Sequence, residues 1–162
     1  MSVETLVQEL GKVLKERRQC LVTAESCTGG WVAKEITSVP GCSHWFERGF
    51  VTYTNVAKQE MLGVRAETLE RFGAVSEQTV REMAEGALRN SHAQVSLAIS
   101  GIAGPRGGSP EKPVGTVWLA WAGDGFATVA QHHLYEGDRE AVRRQAVADA
   151  LKGLMELVNH RT

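Results

Sequence analysis

No apolar run in this chain approaches the ~20 residues that cross a bilayer, and its opening stretch, MSVETLVQELGKVLKERR, lacks the apolar centre of a secretory signal. Cysteine is scarce. Cys20, Cys27 and Cys42 are odd in number and fit neither a disulfide framework nor paired-cysteine zinc spacing. The five histidines form no HExxH pattern and no cluster with carboxylates, so no metal is expected. A cytoplasmic protein with reduced thiols is the expectation. An excess of one charge is missing too: 18 Lys and Arg stand against 19 Asp and Glu, a net charge of -1, which argues against a surface built for nucleic acid. A local anion site stays open. With four prolines, no Pro/Ser linker and no internal repeat, residues 1–162 read as a single domain.

What is present is ordinary globular composition, 43% hydrophobic and 23% charged, in a chain long enough to bury ~70% of its unfolded surface. Val3, Leu6, Leu10, Val13 and Leu14 recur at helical spacing. CLVTA then reads as a buried strand, and SCTGGWVAKEITS resumes helical character, placing Ser26 at a strand-to-helix turn. Trp45 to Thr54 reads as a second strand, NVAKQEML as a helix ending at Gly63, and Ser76 as the cap of another helix. VSLAIS is a third strand, and GTVWLAWA and FATVAQHHLY form a hairpin. A long helix follows from Asp138. This order predicts a three-layer α/β/α domain with a mixed sheet of about five strands. Ligands in such sheets gather where loops leave the carboxyl ends of strands.

Four segments could carry chemistry. AESCTGG puts Ser26, Cys27 and Thr28 ahead of Gly29 and Gly30 at a helix start, where free N–H groups favour an anion or an oxyanion; Ser26 or Thr28 acting only as a helix cap is the competing reading. SGIAGPRGGSPEKPVGT is a long glycine loop after a strand, able to turn successive N–H groups toward phosphate or carboxylate, or else a plain connection. It matches neither a P-loop nor a dinucleotide fingerprint. FVTYTNVAK brings Tyr53 near Lys58. On its own Lys58 reads as a solvated helix residue, because half-neutrality at pH 7 needs a depression of ~3.4 units. GDREAVRRQ offers Arg139, Arg143 and Arg144 near a helix start, as an anion or partner surface or as plain solvated charges.

TAESCTGG, RGFVTYTNVAK, GAVSE, SGIAGPRGG, KPVGTVW and GDREAVRRQ, in this order and across essentially the whole chain, resemble the CinA C-terminal domain family, nearest its stand-alone members. The resemblance implies the CinA-like α/β/α fold and hydrolysis of nicotinamide mononucleotide to nicotinate mononucleotide and ammonia in pyridine nucleotide salvage, with no cofactor. It implies Ser26 as nucleophile, Lys58 as its activating base and Tyr53 beside them. Substrate contacts would come from Ser100, Gly101, Ile102, Ala103, Gly104, Gly107 and Gly108, and from Thr28, Gly29 and Gly30 opposite. Arg139 is the candidate for the anionic end. The partner is then a small mononucleotide, with no nucleic acid or membrane. Trp45 and Trp121, with family habit, suggest a homo-oligomer, a dimer. Two alternatives stay open: a nucleotide-binding module without turnover, linked to competence or damage, and an amidase for another small amide.

Overall fold

In the computed structural model, which describes residues 1–160, five strands form where the hydrophobic pattern places them. They are β1 (Leu21–Glu25), β2 (Phe46–Val51), β3 (Val95–Gly101), β4 (Thr116–Gly123) and β5 (Phe126–Leu134). The sheet order is β2-β1-β3-β4-β5; β2, β1 and β3 run parallel, and β4 and β5 pair antiparallel. Six helices cover the two faces: α1 (Val3–Glu16), α2 (Trp31–Thr37), α3 (Asn55–Leu62), α4 (Ala66–Phe72), α5 (Glu77–Arg89) and α6 (Arg139–Asn159). This is the expected three-layer α/β architecture.

Strand alternation divides the core by size. Leu97, Ile99, Val117, Leu119 and Trp121 point to the face covered by α1, α2 and α6. Ala98, Ala120 and Ala122 point to the other, under α5. Small side chains there let α5 lie close enough for Ser96 Oγ to donate to its Ala84 carbonyl at 2.8 Å. The same face has no room where α5 crosses α3: a Cβ on Gly86 would stand 1.8 Å from the Leu62 carbonyl oxygen. Gly86→Ala is therefore expected to lower the free energy of unfolding by about 3 kcal/mol, because the ~1 kcal/mol that alanine adds in helix propensity cannot offset the displaced helix. Urea titration measures it, and an unmoved midpoint would refute the packing argument.

Two details depart from expectation. The helix after β1 begins only at Trp31, because Gly29 and Gly30 adopt φ of +61° and +102° and hold Ser26–Gly30 as a non-helical turn. α4 was hidden in the pattern, since only Thr68 and Leu69 of its seven residues are buried. Trp45 and Trp121, on which the expectation of an oligomer leans, are interior: Trp45 packs on Gly11, and Trp121 packs on Gly153 and donates to the Ala150 carbonyl at 2.8 Å. They offer no surface to a second copy.

The crossover from β1 goes to β2 on one side, and the crossover from β2 returns past β1 to β3 on the other. The carboxyl ends of β1 and β3 thus flank the point where the winding reverses, where a crevice opens.

Candidate active site

At that crevice lies a cavity of about 260 Å³ whose wall includes Ser26, Cys27, Tyr53, Lys58, Ala74, Val75, Ser100 to Gly104, Arg106, Gly107 and Arg139. A larger depression of about 470 Å³ between α3, α4 and α5 contains neither Ser26 nor Lys58, and its Arg65 and Arg81 are committed to Glu82 and Glu77 at 3.3 and 2.8 Å. Among the described residues no three His, Cys, Asp or Glu side chains converge in a way that could hold a metal. No helix among them is long and apolar enough to cross a membrane.

Ser26 follows β1 directly, and its N–H donates to the Ile99 carbonyl at 3.0 Å, so the nucleophile candidate is pinned to the end of β3. Lys58 comes from α3, whose start is capped by Thr54 Oγ1 accepting from the Ala57 N–H at 3.1 Å. Its side chain is only 1% exposed. Nζ donates to Ser26 Oγ at 3.0 Å and to the Thr52 and Tyr53 carbonyls at 2.8 and 3.1 Å. Burial pulls the Lys58 pKa down from 10.5 to about 8, and none of the three partners bears a charge to hold it up. About a tenth of such a lysine is neutral at pH 7. In that form the two N–H bonds satisfy the two carbonyls, and the lone pair faces the Ser26 hydroxyl.

Tyr53 stands at the rim, 62% exposed, and its contact with Lys58 is through its main-chain carbonyl. No hydrogen bond joins the phenol to the lysine among the described residues, although Tyr53 lines the same cavity. Cys27 lines the cavity beside Ser26, but burial pushes its thiol up to about 11 and keeps it protonated. Ser100 Oγ is occupied, donating to the Ala74 carbonyl at 2.8 Å and so bracing the Ala74–Val75 wall.

The first turn of α2 is already taken, whereas the Cys27 and Thr28 N–H groups in the turn before it have no acceptor among the described residues. Glu25, 1% exposed, accepts from Thr28 Oγ1 at 2.6 Å and from the Val32 and Ala33 N–H groups at 2.9 and 3.1 Å. The N–H groups at the start of α2 thus point to a buried carboxylate, and Thr28 spends its hydroxyl there. Thr28, Gly29 and Gly30 border a separate depression with Trp31 and Arg143. Arg143 donates to the Cys27 and Thr28 carbonyls at 3.0 and 3.2 Å, clamping the turn from outside. Gly108 is likewise turned from the cavity, packed against Val114. Arg139 does line it, and its Nη1 donates to the Gly104 carbonyl at 2.8 Å.

Sequence reasoning assigned no role to Glu25, Arg106 or the Ala74–Val75 wall. All of them lie within blocks of the resemblance, Glu25 in TAESCTGG, Ala74 and Val75 in GAVSE and Arg106 in SGIAGPRGG, a signal that could have pointed to them.

Comparisons with known proteins agree with this architecture. The family model described as the CinA C-terminal domain matches residues 3–158. The chain is 58% identical over 149 residues to nicotinamide-nucleotide amidohydrolase PncC of Escherichia coli strain K12, covering 92% of this chain and 90% of that protein. It is 52% identical to the protein of the same name from Pseudomonas putida, over 96% of each. The crystal structure of competence/damage inducible protein CihA from Agrobacterium tumefaciens superposes with a TM-score of 0.94 at 43% identity, covering 99% of this chain and all of that one. The chain belongs to the CinA C-terminal domain family.

Proposed function

We propose that this chain hydrolyses the carboxamide of a nicotinamide mononucleotide, releasing ammonia and the nicotinate mononucleotide, as an enzyme of pyridine nucleotide salvage. The observation that carries the chemistry is the buried Lys58 amine 3.0 Å from Ser26 Oγ, its hydrogens directed to two carbonyls. The substrate class is supported by the name nicotinamide-nucleotide amidohydrolase, borne by relatives that match nearly end to end.

Neutral Lys58 takes the Ser26 proton as Oγ attacks the carboxamide carbon. The oxyanion that forms needs donors, and Cys27, Ala103 and Gly104 offer them: among the described residues their N–H groups have no acceptor, and all three line the cavity. The Lys58 ammonium then protonates the leaving nitrogen, the C–N bond breaks and ammonia departs. Water attacks the serine ester, Lys58 accepts a proton again and returns it to Ser26 Oγ, and the carboxylate leaves. One amide and one water become one acid and one ammonia.

Ammonia release is the test, measured over nicotinamide mononucleotide, nicotinamide and simple aliphatic amides. Release from the mononucleotide at a kcat/KM well above that of the others is the expected result. Release only from simple amides would replace the substrate, and tight mononucleotide binding with no release would reduce the chain to a binding module.

A further inference from the structure

The cavity holds two arginines, and the structure gives them different work. Arg139 Nη1 donates to the Gly104 carbonyl at 2.8 Å, so this side chain braces the glycine loop with one of its donors. Lys112, the other cation of the loop, is also engaged, its Nζ donating to the Phe72 carbonyl at 2.7 Å. Arg106 lines the cavity from the loop, and no described residue accepts from its guanidinium or opposes its charge. Beside it, the N–H groups of Arg106 and Gly107 have no acceptor among the described residues. A planar five-donor fork next to two free N–H groups suits an oxygen-rich dianion. The Ser26–Lys58 end has free N–H groups at Cys27 and Thr28 but no unpaired guanidinium: Lys58 is fully hydrogen-bonded and the first turn of α2 is neutralised by Glu25.

We propose that Arg106 binds the phosphate of the substrate and is the residue that separates a phosphorylated from an unphosphorylated nicotinamide ribonucleoside. The proposal rests on the amide hydrolysis proposed above. The neutral carboxamide goes to Ser26, where no fixed charge is required, and the dianion goes to Arg106 on the loop. Arg139 holds the loop for either substrate.

The experiment compares the parent with Arg106→Ala, Arg106→Lys and Arg139→Gln, reading ammonia release from nicotinamide mononucleotide and from nicotinamide riboside. Arg106→Ala deletes a charge-assisted hydrogen bond to the phosphate and is expected to raise KM for the mononucleotide ~10- to 100-fold, with kcat within about threefold and the riboside unaffected. Arg106→Lys should recover part of the loss, and Arg139→Gln should depress both substrates together. Calorimetric binding of ribose 5-phosphate supplies a readout independent of turnover: the parent binds it and Arg106→Ala binds it at least tenfold more weakly. If the parent releases no ammonia but this binding still depends on Arg106, the amidase reading fails and the phosphate site stands. Unchanged mononucleotide preference in Arg106→Ala, or its collapse in Arg139→Gln alone, overturns the proposal, as does a parent with no affinity for ribose 5-phosphate.

Discussion

Ser26→Ala is expected to lower kcat for amide hydrolysis by ~10³-fold or more, while the dissociation constant for the mononucleotide moves less than about threefold. The change removes one hydroxyl from a turn that main-chain contacts hold in place: the Ser26 N–H on Ile99, the Gly29 N–H on the Ser26 carbonyl, and Arg143 on the two carbonyls that follow. The loop and its arginines are untouched, so binding should survive when chemistry does not. Stopped assays with excess enzyme would show it as normal binding without an ammonia burst. The parent should also transfer its acyl group to hydroxylamine, giving a hydroxamate that the alanine variant does not make. Activity above a few per cent of parental in Ser26→Ala, or no hydroxamate from the parent, would mean that water attacks the amide directly and that Ser26 only orders it.

The second large effect concerns Lys58. Log(kcat/KM) should climb with unit slope on the acid side and level near pH 8, because only the neutral amine can take the Ser26 proton and burial has brought its pKa down from 10.5 to about 8. Lys58→Arg keeps a cation but no accessible lone pair, so a loss of ~10²-fold or more is expected, with the acid limb gone from the residual rate. An arginine variant of near-parental activity would show that the position supplies charge and not basicity. The same depressed pKa makes a claim about stability. Below about pH 8 folding buries a proton-bearing Lys58 at full cost. Between about 8 and 10.5 the unfolded chain holds that proton and the native one does not, so stability rises with pH. Relative to Lys58→Met, whose side chain does not titrate, the parent should gain up to ~3 kcal/mol across that window. Urea titrations at several pH values would register it, and a difference that stays flat would contradict the lowered pKa.

The residues legible in the sequence were those whose side chains do the work they advertise. Strand alternation and helical periodicity located the sheet and most of the helices, since burying one face dictates them. Ser26 and Lys58 came forward through a strand-to-helix turn and a six-block resemblance, and the structure places them within hydrogen-bonding distance although 32 residues separate them. Tyr53 was legible as a neighbour and illegible in its part, because a sequence displays the phenol while Lys58 meets the carbonyl, a group every residue has. Thr28 and the start of α2 misled for a related reason. Whether a helix start is free for a ligand depends on what already lies against it, and two left-handed glycines bring Glu25 there from the preceding strand. α4 escaped because seven residues with two buried show too little of a period to separate from a loop.

The carboxylate buried at Glu25 bears on how the reaction ends. Turnover of the proposed substrate converts an uncharged group into an anion beside Ser26, and Glu25 is close enough for its negative charge to disfavour a thiolate on Cys27, in the wall of the same cavity. The newly formed acid thus meets a negative charge at Glu25, the fixed cations Arg139 and Arg143 that act on the same thiol, and one cation that can lose its charge near neutral pH, Lys58. It is held more tightly while Lys58 bears a proton than after that proton is lost. Product inhibition should therefore fade as the pH rises through about 8, and the proton that starts each catalytic cycle also times the departure of what the cycle makes.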